Sequence, residues 1–264
     1  MYRALHEQFR GAWQGCAIGE ADANPSLGQA LIAQGQHVMH LGQYDSMAAI
    51  ALAGNDLSRL AYVILVSMLC HDAPEEQQQA LSALSNQSLG LLLLSEAIAA
   101  QLRSQRPTFE TNSAFRATLD QLIQGQLPLQ TVVATLMAWP GLSPFEQAIG
   151  LGVYCWYCHP HQFTICIGRS RQIQRYVPQS HPAKTLSPAL VGLLCGAAVG
   201  SRALPIHESL DLTHIYAEAD RLYCLWAGIN PAAASSGLEQ SVIAQAGQLK
   251  PRSYGHLTLN REYD

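Results

Sequence analysis

Cys155-Trp156-Tyr157-Cys158-His159 is the densest group of metal-ligating residue types in the chain. It has the form C-x-x-C-H, the spacing at which a c-type haem is attached through two cysteines. That attachment follows export, and a second set of haem ligands is not evident. His161 lies close by, and Cys166 or His181 would extend the group towards a zinc site. Structural zinc usually takes two ligand pairs from separated segments, whereas these ligands crowd into one. The preferred reading is a helix facing the core. Tyr154, Cys155, Cys158 and Gln162 recur at helical spacing, and cysteine is among the most buried residue types. The 10 His residues are otherwise scattered, with no Ser-His-Asp order around a nucleophile elbow. The glycine runs sit inside helical patterns, so no phosphate-cradling loop is read. Arg169, Arg171 and Arg175 form a short basic stretch, a solvated face or a docking point for an acidic partner.

The elements that must position these residues are helices. Leu60, Val63, Ile64 and Met68 repeat at three and four residues, as do Leu91, Leu94, Ile98 and Leu102, and Leu119, Leu122 and Ile123. Ser143-Pro144-Phe145-Glu146 has the form of a capping box. Asn24-Pro25, Asp56, Asn86 and Thr111 are further cap candidates. No useful stretch alternates apolar and polar residues as a half-buried strand would. The reading is a single all-α domain over residues 1–246 with about ten to thirteen helices, each near the usual length. The polar segment 247–264 is read as a loose tail. Trp13, Trp139, Trp156 and Trp226 sit among apolar neighbours and are assigned to packing.

Composition sets the outer limits. The chain has 264 residues, of which 48% are hydrophobic and only 13% charged. The charged share is about half the common one of roughly 25%, which argues against extended disorder. A net charge of −4 gives no basic footprint for nucleic acid and no polybasic membrane patch. The N-terminal stretch lacks the apolar run of a signal peptide, and Ala61–Cys70 and Leu186–Gly200 fall short of the ~20 residues of a membrane span. Seven irregularly spaced cysteines suit reduced, buried thiols better than a secreted disulfide framework. The expectation is a soluble, cytoplasmic protein.

Two glycine stripes carry the most specific signal. Gly11, Gly15 and Gly19 are spaced by four, and so are Gly192, Gly196 and Gly200. Each set clears one helix face, at up to ~1 kcal/mol per glycine relative to alanine, unless another backbone packs there. Gly15 and Gly196 are therefore expected in the core against helix backbones. The segments around them, Gly11–Ala21 and Ala189–Gly200 with Ala203-Leu204-Pro205, resemble the G-x-x-x-G-x-x-x-G-D-A and A-x-x-G-A-L-x-G-A-x-x-G…A-I-P motifs of the ADP-ribosylglycohydrolases. Ser143–Ala148 is similar to that family's S-F-E-E-A helix entry, and the motifs come in the family's order. About Gly11–Ala53 and Val132–His207 take part in the resemblance.

That resemblance implies a compact helical fold of the ADP-ribosylglycohydrolase type, in which two Mg²⁺ or Mn²⁺ ions held by T-D-D-T and D-x-D-T carboxylates cleave ADP-ribose linkages. Hard divalent ions call for such oxygen ligands. In this chain the first motif falls on Gln43-Tyr44-Asp45-Ser46 and the second on Pro182-Ala183-Lys184-Thr185. Glu20 stands where the family has aspartate, and Tyr154–Gln179 reads as an insertion. Neither Asp-Asp nor Asp-x-Asp occurs anywhere, so a shifted alignment restores nothing. The resemblance thus implies a degenerate member with no metal or cofactor. It would act by binding a protein partner, or an ADP-ribose-like or nucleotide ligand, around Asp45, Ser46, Lys184 and Thr185. The alternative is an active ADP-ribosyl hydrolase using Glu20 and Asp45. Lys184 is expected beside Asp45, its ammonium filling space that an ion holds in the family.

Overall fold

The computed structural model describes residues 5–21, 27–41, 55–85, 88–105, 114–125 and 127–227. Among the described residues there are eleven α-helices, one 3-10 turn and no strand. In chain order the helices are α1 (Leu5–Glu20), α2 (Leu27–Leu41), α3 (Asp56–Leu69), α4 (Pro74–Ser85), α5 (Leu89–Leu102) and α6 (Ala114–Gln124). They continue with α7 (Leu129–Met137), α8 (Pro144–Cys158), α9 (Phe163–Ile173), α10 (Ala183–Val199) and α11 (Leu212–Ala227). Asp45 and Ser46, the cap candidates Asn24-Pro25, Asn86 and Thr111, and the segment 247–264 lie outside the described residues. No described helix is long and apolar enough to cross a membrane.

The centre is α10, buried from Leu186 to Val199. It packs against α1, α8, α9 and α5, while α1 also meets α11 and α2. Among the described helices the α1–α10 contact is the most extensive, and glycine brings the two backbones together. A Cβ added to Gly15 would lie 2.0 Å from the Gly192 carbonyl oxygen, and one on Gly192 would lie 1.9 Å from the Gly15 carbonyl oxygen. Gly11 and Gly196 make the same reciprocal pair, and Gly19 faces the Pro188 carbonyl. The helices are therefore antiparallel with backbones in contact, as the two stripes predict. Gly200 ends α10 at φ 73°, a left-handed conformation that glycine adopts without a Cβ penalty.

Local chemistry explains the other boundaries. Pro188 sits inside α10 and has no N–H for the Lys184 carbonyl one turn back. The Gln174 side chain donates to that carbonyl instead, at 2.9 Å. The capping box at Ser143 is present as the sequence predicts, with Ser143 Oγ accepting from the Glu146 amide and Glu146 accepting from the Ser143 amide. At α3 the cap is Asn55, one residue before the expected Asp56, which is the first helical residue. Both types cap well, so residue type alone does not choose between neighbours. Trp13 and Trp156 are buried, and Trp139 and Trp226 pack at the core's edge.

Candidate functional site

The antiparallel α1–α10 register brings the end of α1 and the first turn of α10 to one end of the molecule's centre. Gly19 packs on Pro188 and Ala189, so Glu20 belongs to the same end as Lys184 and Thr185. Glu20 is only 5% exposed. Its Oε1 accepts from the Leu27 amide at 2.7 Å and its Oε2 from the Gly28 amide at 2.9 Å. These are the first amides of α2, orphaned within their own helix and drawn to an anion by the helix dipole. Glu20, the last residue of α1, thus caps the start of α2. Its charge and, above all, burial push the Cys16 thiol well above its ordinary pKa.

Lys184 does not stand alone in solvent. Its Nζ donates to Gln179 Oε1. The exposed Thr185 hydroxyl donates to the Pro182 carbonyl at 3.4 Å. Asp45 lies outside the described residues, so the expected Lys184–Asp45 approach does too. Glu20 gives both oxygens to amides, and Lys184 places a cation in the first turn of α10. Among the described residues no three His, Cys, Asp or Glu side chains gather into a metal-holding group. Glu20 and Lys184 therefore do not make a carboxylate set of the kind a pair of divalent ions calls for.

The cysteine motif resolves into packing. Cys155 and Cys158 lie on α8, with Cys155 buried and Cys158 half-buried. His161 is exposed in the following turn. His181 accepts from the Ala183 amide at Nδ1 (3.2 Å), so the neutral ring carries its proton on Nε2 and donates to Gln147 Oε1 at 3.1 Å. Burial lowers its pKa, consistent with that tautomer. Of the three arginines, Arg169 turns inward, donating to the Tyr154 hydroxyl at 3.2 Å with its guanidinium 5.5 Å over that ring. Arg171 and Arg175 are exposed.

Two constellations were not legible in the sequence. In the first, the starts of α3, α5 and α8 converge on a polar cavity of about 230 Å³ lined by Asp56, Arg59, Ser88, Ser143 and Glu146. Glu146 Oε1 accepts from Ser88 Oγ at 2.9 Å, and Oε2 from the Ser143 amide and hydroxyl at 3.0 Å. The second joins α1 to α11. Arg10 grips Asp220 with two hydrogen bonds of 2.7 Å, and His6 Nε2 meets the same carboxylate at 2.7 Å. The Tyr216 hydroxyl donates to Gln14 Oε1 at 2.8 Å, and its ring carries the Arg10 guanidinium 5.2 Å from its centre. Both place charge in low-dielectric surroundings and satisfy it with neighbours from distant segments, which no local motif announces.

Comparison with protein-family models, with curated proteins and with solved structures finds no match.

Proposed function

We propose that the chain is a binding or regulatory protein on an ADP-ribosylglycohydrolase-like scaffold, without dimetal hydrolase chemistry. The observation that carries this reading is Glu20, whose two carboxylate oxygens each hold a backbone amide of α2. An acid that ties two helices together is a structural anion. Lys184 strengthens the reading, since a cation at that position opposes a second cation. The ligand chemistry that follows from the resemblance is an ADP-ribose-like or nucleotide group, or a protein partner, at the end of the molecule that carries Lys184 and Thr185.

The test has two arms on the full chain. ADP-ribosyl-arginine and ADP-ribosyl-serine peptides are incubated with Mg²⁺ or Mn²⁺, and no release of ADP-ribose is expected. Melting is then followed with rising metal, where a folded-state ion would add about 2.7 kcal/mol at a hundred times its Kd. A flat response is expected to millimolar metal. Turnover that vanishes in Asp45→Ala would overturn the reading in favour of an active hydrolase.

A further inference from the structure

Helix α9 has two faces of opposite character. Phe163, Cys166, Ile167, Ser170 and Ile173 are buried, with α9 packed on α10 and α8. On the outer face Ile165 is 48% exposed, and exposed Gly168 and Gln172 follow it at three and seven residues, along one side of the helix. Arg171, within the helix, and Arg175, just past its end, are exposed beside that strip. Tyr176, 45% exposed, closes it. We propose that this face docks an acidic amphipathic helix of a partner protein, laid across α9 at Gly168.

Charge selects the partner. Residues 147–207 hold five of the chain's 15 Lys and Arg residues and none of its 19 Asp and Glu residues. The whole chain is nevertheless at −4, so this stretch is a basic island in an acidic protein. Lys184 extends the island past the end of α9, where Gln174 holds its carbonyl and Gln179 its ammonium. A surface of this sign attracts an acidic partner and rejects a basic one. A second copy of the chain, meeting this face across a two-fold axis, would set Arg171 and Arg175 against their own equivalents. Ile165 and Tyr176 supply apolar anchors, and tyrosine and arginine are types enriched at interfaces. Two anchors on a helix about 16 Å long do not make the continuous apolar stripe that a membrane-surface helix needs.

Gly168 sets the geometry. Elsewhere in the molecule, helical glycine goes with close approach. A Cβ added at Gly15, Gly192 or Gly196 would strike the backbone of the facing helix. A Cβ at Gly168 would meet nothing within 4 Å. This glycine therefore weakens α9 relative to alanine, and no contact within the fold offsets the loss. It leaves a notch between Ile165 and Gln172 where a second helix can come as near as α10 comes to α1. The docking face needs only this surface, and it holds whether or not the chain hydrolyses ADP-ribose linkages.

The full chain is titrated into a fluorescein-labelled helical peptide of about 20 residues, long enough to hold its helix, built from Glu, Ala and Leu with the alanines along one face. A counterpart with Lys for every Glu, and vesicles of phosphatidylserine, are titrated in parallel. The acidic peptide should bind, more weakly as salt rises, and should slow hydrogen exchange within residues 163–176. Arg171→Glu/Arg175→Glu should weaken that binding about tenfold or more. Gly168→Leu should melt no lower than wild type, since nothing crowds the site, and should weaken binding by a similar factor. The arginine variant carries the test where Gly168→Leu does not fold. No binding of the acidic peptide, equal binding of the lysine peptide, or binding unchanged in the variants would overturn the docking face. So would binding to the vesicles alone, which would assign the face to a membrane surface, or a dimer of the chain that Gly168→Leu abolishes.

Discussion

Glu20 shows how one carboxylate can read as catalytic and act as a clamp. Glu20→Gln keeps the shape but loses the charge that faces the start of α2. It should destabilise the fold by about 1–3 kcal/mol, as for a buried charged hydrogen-bonding group, measured as a lower urea midpoint. A neutral result would remove the capping role. Asp220 makes a second prediction. Burial alone would raise its pKa, but the hydrogen bonds and charge of Arg10, then His6, more than offset this and hold it below the usual carboxylate value. A depressed folded pKa adds stability that is present above the unfolded value of about 3.9 and is lost as pH falls through the folded one. Asp220→Asn should cost about 2–4 kcal/mol at neutral pH, most of it from leaving Arg10 without its partner. Its stability should then fall less steeply than wild type below pH ~4. Identical acid limbs in wild type and variant would show that Asp220 does not carry the linkage.

The same residue type has opposite worth in two elements. Gly192→Ala would put a Cβ 1.9 Å from a backbone carbonyl, so α1 and α10 must part. That should cost at least the ~1–3 kcal/mol of an overpacked core, read from the melting curve. Gly168→Ala in exposed α9 meets nothing within 4 Å and should stabilise the protein by up to about 1 kcal/mol. Equal effects would deny that close approach, rather than chance, selects glycine in α1 and α10. The sequence made α1 and α10 readable because a spacing of four marks one helix face. The capping box of α8 was readable because both partners lie within four residues. The capping role of Glu20 was not legible because its partners are backbone amides of another helix, which leave no residue-type signal.

Across the whole molecule, the aromatic cluster of Phe9, His71, Tyr223 and Trp226 joins α1, the end of α3 and α11. Burial lowers the His71 pKa. The Met68 carbonyl and Asp72 oppose that shift and Arg103 adds to it. A depressed imidazole pKa means stability present above the unfolded value of about 6.5 and lost as pH falls below it. His181 shifts in the same direction, through burial. Melting temperature should therefore drop between pH ~7 and ~5.5, and the drop should shrink in His71→Gln and again in His71→Gln/His181→Gln. An unchanged slope in both variants would place the acid sensitivity elsewhere. The α1–α10 contact has a consequence for how the protein is made. Gly15 and Gly192 are 177 residues apart (192 − 15). At roughly 5–20 residues per second, the ribosome delivers the partner of α1 about 9–35 s after α1 itself has been polymerised. Until then the emerging chain holds a helix whose smooth face fits only a segment not yet translated. Its centre closes late, and chains stalled before α10 should remain open to protease and dependent on chaperones.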